Sequence, residues 1–182
     1  NQNDILHRAL STGAYVTDAL HASISPSMDI QVSSNFERAL FDASGRDPVA
    51  VCAMMQALRD QRGFTIAPEP LAVLRALYAS GRVSEAETLA TIRDIYDTTG
   101  ELLCPHSAIG VKVAEDSLGR EPMVTLATAH PAKFPTAVAQ ATGQHPPLPA
   151  RMADLFDRTE RMRDVPNDLS ALQTLIRERI AL

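Results

Sequence analysis

The sequence has no tryptophan, only two cysteines, only two lysines, and eight glycines of which no two are neighbours. Each scarcity excludes something. Cys52 and Cys104 stand too far apart for a metal knuckle, and two cysteines make no disulfide framework, so a reducing cytoplasmic setting is expected. Isolated glycines provide no glycine-rich loop to cradle an anion. No two histidines share a helix at ligand spacing, which argues against a zinc site. No apolar run is long enough to span a bilayer, and no basic leader precedes an apolar one. Net charge is −5, from 17 basic and 22 acidic side chains. Without a basic block, nucleic-acid binding has no support. The first residue is Asn1 rather than Met, and patterned sequence begins at once. The expectation is that processing removed something or that the chain starts inside a larger protein.

What is present is mostly helical punctuation. Helices are expected over Asp4–Thr12 and Asn35–Ala43, with an irregular stretch at Tyr15–Ser33 between them. Asp47 reads as an N-cap with Pro48 in the first turn of a helix that ends before Gly63, placing Val51, Cys52, Met55 and Leu58 on one face. Glu69–Ser80 follows, with Leu71, Leu74 and Tyr78 on one side. Ser84-Glu85-Ala86-Glu87 is a capping box opening a helix closed by Gly100, with Leu89, Ile92, Tyr96 and Thr99 expected inside. Small residues from Ser107 to Asp116 form the next helix. Helices are expected again over Pro135–Thr142 and Met152–Arg163, separated by a rigid connector at 145–149. A last helix, capped by Asn167 or Asp168, repeats Leu169, Leu172, Ile176 and Ile180 at helical spacing.

Met123-Val124-Thr125-Leu126-Ala127 breaks this pattern. The run is short, apolar on both faces and rich in β-formers, as a buried strand is. A doubtful second strand is Ile30-Gln31-Val32. One strand cannot satisfy its own amides and carbonyls, so its neighbours are expected in polypeptide outside these 182 residues. The run ends in Thr128-Ala129-His130-Pro131-Ala132-Lys133-Phe134, and ligands of open α/β sheets sit at strand C-termini. A hydroxyl, an imidazole and an ammonium thus surround one candidate site. Taken alone, Thr128 reads as a hydroxyl that ends a strand or caps the next helix. His130 and Lys133 could equally be a loop histidine and a solvated lysine. His106 opens a helix, where its ring could meet an anion beside free amides, or simply cap and pack.

Thr128–Phe134 resembles the Thr-Ala-His-Pro-Ala-Lys-Phe segment of threonine synthases. Asn1-Gln2-Asn3-Asp4, Ser25-Pro26-Ser27-Met28-Asp29, Ser33-Ser34-Asn35-Phe36-Glu37-Arg38 and Pro105-His106-Ser107-Ala108-Ile109-Gly110-Val111-Lys112 are similar to further elements of that family in the same order. The resemblance implies a helix-rich α/β fold, the C-terminal part of a fold type II, tryptophan synthase beta-like enzyme dependent on pyridoxal 5'-phosphate (PLP). Residues 1–182 would be the C-terminal portion of its catalytic domain, with the N-terminal part absent. The implied reaction converts O-phospho-L-homoserine and water to L-threonine and phosphate. The implied cofactor contact is Thr128, whose hydroxyl would meet the pyridine nitrogen. His130, Lys133 and His106 are the substrate-binding candidates.

The chain also departs from the family pattern. The family's Schiff-base lysine lies upstream in a Phe-Lys-Asp setting that neither Lys112 nor Lys133 has. Cys104 replaces an acidic residue before the Pro-His pair. Both the covalent anchor and the phosphate cup are therefore expected in the missing part. Two other readings stand beside this one. A self-contained helical interaction or regulatory module would explain the missing lysine but not the lone apolar strand. A threonine dehydratase-like lyase is nearer, but the Ser-Asn-Phe-Glu-Arg element disfavours it.

Overall fold

A computed structural model describes residues 1–180, in two compact units, Asn1–Pro147 and the residues from Leu148 onward. The first unit opens with α1 (Ile5–Thr12), whose Ile5 and Ala9 are buried. Gly13 closes α1 in the left-handed conformation, with φ of 83°, where a side chain would be strained. β1 (Ala14–Val16) follows directly and pairs antiparallel with β2 (Gly63–Thr65), Tyr15 facing Phe64. Between them lie α2 (Phe36–Ala43) and α3 (Pro48–Gln61). The Asp47 carboxylate accepts from the Val49 amide at 2.8 Å, as the sequence predicts for an N-cap. α4 (Pro68–Leu77) then buries Leu71 and Leu74.

These elements share one core of Ile5, Ala9, Tyr15, Leu40, Phe64, Ile66, Leu71 and Leu74. Tyr15 is its centre. Its ring is stacked between Phe36, at 5.7 Å, and Phe64, at 5.0 Å. Its hydroxyl accepts from the Ser33 amide at 2.8 Å, so a polar handle at the ring edge is satisfied inside an apolar cluster. Gly63 makes this packing possible. A Cβ there would lie 2.8 Å from the Tyr15 carbonyl oxygen and 3.0 Å from Val16 Cα, and main chain cannot yield as a side-chain tip can. Gly63→Ala is expected to destabilise the fold by about 2–4 kcal/mol, measured as a lowered urea midpoint at unchanged slope.

A second, smaller core joins α5 (Glu85–Thr99), α6 (Pro105–Glu115) and α7 (Pro135–Thr142) through Ile92, Ala108 and Ala141. The predicted capping box of α5 forms: Ser84 Oγ accepts from the Glu87 amide at 3.3 Å, and Glu87 Oε2 accepts from the Ser84 amide at 2.8 Å. Gly100 and Gly143 close α5 and α7 in left-handed conformations. The buried face of α5 is Thr88, Thr91 and Ile92, with Leu89 and Tyr96 half-buried and Thr99 exposed.

Several expectations are corrected. Residues 123–127 are extended but form no ladder, and Val124 and Leu126 are 80% and 75% exposed. Among the described residues no strand lies beside them, so their hydrogen-bonding groups find no partners. Ile30–Val32 is not a strand either; that region contains β1 and a 3-10 turn at Pro26–Met28 instead. Tyr78 lies beyond the end of α4 and is half-exposed, and Cys52 of α3 is exposed. In the second unit, Met152–Arg163 is not one helix but two 3-10 turns, Ala150–Met152 and Leu155–Asp157. Its last helix, α8 (Leu169–Ile180), forms as predicted, with Asp168 accepting from the Ala171 amide at 2.8 Å. The apolar stripe of α8 is exposed. No helix among the described residues is long and apolar enough to cross a membrane.

Candidate functional site

The N-terminus of α6 brings together two of the sequence-predicted residues, His106 and Thr128. Cys104 is its N-cap, the buried sulfur accepting from the Ser107 amide at 3.4 Å. The next residues each hold a different segment. His106 Nε2 accepts from the Ser27 amide at 3.2 Å, anchoring the Ser25–Asp29 loop. Ser107 Oγ accepts from the Thr128 amide at 3.1 Å and lies 3.4 Å from the Thr128 hydroxyl. The 123–128 segment runs back along α6. Three residues before Thr128, Thr125 lies over Gly110, where a Cβ would come within 3.2 Å of Thr125 Cγ2. Small residues in α6 thus admit the segment that carries Thr128.

His106 is the one buried member of the predicted set, at 9% exposure. Its ring meets Phe134 with centroids 4.6 Å apart. Because Nε2 accepts a hydrogen bond, it is unprotonated, and the neutral ring carries its hydrogen on Nδ1. That Nδ1 is buried without a partner. Burial, then the Lys133 ammonium, pushes the His106 pKa down, and the Asp29 carboxylate opposes this only weakly. The imidazole is therefore a neutral group here rather than a cation.

His130 and Lys133 sit on the turn after Thr128. His130 caps the 3-10 turn Pro131–Lys133, its Nδ1 accepting from the Ala132 amide at 3.2 Å. The Lys133 ammonium stands 6.0 Å from the centroid of the Phe134 ring, a cation over an aromatic face. Phe134 thus contacts both the Lys133 ammonium and the His106 ring. An open groove of about 650 Å³ runs past Asn1, Ser27, Phe36, His106 and Gly110. His106 lines it; Thr128, His130 and Lys133 do not.

Thr128 sits among neutral groups, the Ser107 hydroxyl and the Cys104 thiol, 3.9 Å away. Among the described residues, no hydrogen bond joins it to a carboxylate. Such a hydroxyl can donate to a neutral heterocyclic nitrogen, whereas a carboxylate would favour the protonated ring. Among the described residues, no group of three or more His, Cys, Asp and Glu side chains is placed to hold a metal ion.

The family profile described as "Threonine synthase, C-terminal" matches residues 107–176. The threonine synthase of Pseudomonas aeruginosa is 49% identical over 180 residues, covering 97% of this chain and 38% of its own length. A crystal structure of PLP-bound threonine synthase from Brucella melitensis superposes with a TM-score of 0.88 at 50% identity, covering 98% of this chain and 39% of that one. Yeast threonine synthase superposes with a TM-score of 0.81 at 30% identity, over all of this chain and 41% of that one. By sequence and fold this chain belongs to the threonine synthase family. It spans about two-fifths of the length of these relatives. The helix-rich α/β, fold type II architecture expected from the motifs is the one these threonine synthases share with it.

The threonine synthase motifs Asn-x-Asn and Ser-Pro-Ser-Met-Asp carry no assigned role in the sequence reading, yet they form one hydrogen-bonded cluster. Asp29 Oδ1 accepts from Asn1 Nδ2 at 2.7 Å, Asn3 Nδ2 at 3.0 Å and the Ser23 hydroxyl at 2.6 Å, while Oδ2 accepts from the Ser23 amide at 2.8 Å. Burial pushes the Asp29 carboxyl up, but these four donors outweigh it and hold the pKa below the usual carboxylate range. The cluster fixes the loop whose Ser27 amide reaches His106. A carboxylate closing an asparagine- and serine-rich run was the available signal; which donors converge on it was not.

Proposed function

We propose that this chain is the C-terminal portion of the catalytic domain of a PLP-dependent threonine synthase. The whole enzyme would convert O-phospho-L-homoserine and water to L-threonine and phosphate. The observation that carries this reading is the placement of Thr128. Its amide is tied to the N-terminus of α6, with no carboxylate among its hydrogen-bond partners, and it opens the Thr128–Phe134 segment that resembles the family's Thr-Ala-His-Pro-Ala-Lys-Phe motif.

The fit to pyridoxal phosphate is partial, and its limits are informative. Thr128 suits a neutral pyridine nitrogen. Lys112 is ion-paired with Asp116 and Lys133 stands over Phe134, so neither is presented as a covalent anchor. Isolated glycines offer no phosphate cup. The rest of the enzyme, an N-terminal part of the same protein, would supply both. It would also supply strands to pair with the exposed 123–127 segment.

The cofactor, when bound, supplies an electron sink for carbanion chemistry. Residues of this chain do the rest by placement. Thr128 would hold the ring through its nitrogen, a hydroxyl donor there suiting the unprotonated form. Lys133 brings a positive charge to the turn beside it, suited to the substrate phosphate, and His130 shapes that turn. His106, neutral and buried, holds the Ser25–Asp29 loop against α6 and lines the groove, the surface from which it would meet the substrate. A cytoplasmic location belongs to the same proposal.

Thr128→Val in the full-length enzyme tests it. The variant is expected to fold, to bind pyridoxal phosphate more weakly, and to lose about tenfold to a hundredfold in kcat/KM for phosphate release. Unchanged cofactor affinity and turnover would remove the basis of the reading.

A further inference from the structure

Thr128 lies in a stretch with almost no hydrogen bonds to the rest of the protein. Among the described residues, no main-chain or side-chain hydrogen bond involves any of residues 119–127 or Ala129. The tie is at Thr128 itself, and it leads to Ser107. The Thr128 amide donates to Ser107 Oγ at 3.1 Å. Ser107 is held in turn. It is buried in the first turn of α6, and its amide donates to the Cys104 sulfur at 3.4 Å.

We infer that Ser107 is a positioning residue for the cofactor contact: its hydroxyl oxygen anchors the Thr128 amide and so aims the Thr128 hydroxyl. The inference rests on the reading that Thr128 meets the ring of pyridoxal phosphate. It adds a residue that has no place in that reading.

The hydroxyl hydrogen of Ser107 supports the same role. The Ser107 oxygen accepts from the amide, so its hydrogen is left to donate to Thr128 Oγ1, at 3.4 Å, or to Cys104 Sγ, at 3.2 Å. A thiol sulfur is a weak acceptor, and this one already accepts from the Ser107 amide. Donation to Thr128 Oγ1 is a long contact by the usual O–H···O standard. Either hydroxyl can be the donor in this contact; when Ser107 donates, the Thr128 hydrogen is left for a ring nitrogen. Without Ser107 the amide has no partner, and the exposed segment has no tether at the point where orientation counts.

The test uses the full-length holoenzyme with Ser107→Ala, Ser107→Thr, Thr128→Val and the Ser107→Ala/Thr128→Val double variant. Pyridoxal phosphate affinity is read by titration, the visible absorption of the bound cofactor by spectroscopy, and folding by circular dichroism. Ser107→Ala is expected to weaken cofactor affinity about fivefold to tenfold and to shift the visible band. Ser107→Thr, which keeps the oxygen, restores both. The double variant is no worse than Thr128→Val alone, because both changes remove one arrangement. Wild-type affinity and absorption in Ser107→Ala, with Thr128→Val altered, overturn the role of Ser107 and leave that of Thr128 standing. Wild-type behaviour in Thr128→Val overturns the underlying reading itself. Should Ser107→Ala fail to fold, Ser107→Cys replaces it as a variant of similar size with a weaker acceptor. An intermediate loss of affinity then supports the role, and wild-type affinity overturns it.

Discussion

Asp29→Ala is expected to destabilise the chain by about 3–4 kcal/mol, the largest stability loss among single polar substitutions in the first unit. The carboxylate accepts four hydrogen bonds, from two asparagine amides, a hydroxyl and a main-chain amide. Alanine removes the acceptor on which all four converge; the Asn1 and Asn3 Nδ2 groups retain only their contacts to Ser23, Ser25 and His21. Asn1 and Asn3 are buried, so water cannot fully replace the lost acceptor. Asp29→Asn keeps one carbonyl oxygen and is expected to lose about half as much. Urea unfolding at neutral pH checks both.

The pH dependence follows from the depressed carboxyl. Its folded pKa lies below its unfolded value of about 3.9. The unfolded chain therefore takes up the proton first as pH falls. The stabilisation from Asp29 is fully present above the unfolded value and is lost as pH drops through the folded one. Unfolding midpoints of the wild type should fall below about pH 4, and those of Asp29→Asn should fall less. The damage should spread to the loop beyond, since the same cluster holds the segment whose Ser27 amide reaches His106.

The second large effect is all-or-none. Mixed with stoichiometric pyridoxal phosphate, the 182-residue polypeptide is expected to form no adduct that borohydride can trap. Lys112 pairs with Asp116, and that hydrogen bond raises its pKa, which keeps the amine protonated and not nucleophilic. Lys133 stands over Phe134 on a turn, outside the large groove. Peptide mapping by mass spectrometry after reduction reads the result. Supplying the N-terminal portion of the enzyme as a separate chain is expected to restore a trapped adduct, on a lysine of that portion. A stoichiometric adduct on Lys112 or Lys133 without it would contradict the division of labour proposed here.

Features that depend on local chemistry were legible in the sequence. The Asp47 cap, the Ser84–Glu87 box and the glycines that end α5 and α7 need only neighbours within a few residues. The β1–β2 pair was not, because strands of three residues carry no periodic signal. Residues 123–127 show the opposite limit. Their apolar, β-rich composition is that of a buried strand, but a strand is defined by partners, and the described residues provide none. Met152–Arg163 carries helix-compatible residues but settles into two short turns and irregular chain. At the site, the motif around Thr128 marked a segment through local sequence alone. The side chains that hold it, Ser107 from twenty-one positions away and Asp29 through Ser27 and His106, are matters of tertiary packing. The helical-module alternative accounts for the capped helices but not for the match to threonine synthases along nearly the whole chain.

The central claim is that the hydroxyl of Thr128 meets the pyridine nitrogen of pyridoxal phosphate in the assembled enzyme. A crystal structure of the full-length holoenzyme measures that distance directly. The account predicts a separation of about 2.6–3.2 Å, with the Thr128 amide still bonded to Ser107. A carboxylate on the ring nitrogen, or Thr128 Oγ1 more than about 4 Å from it, would contradict the account.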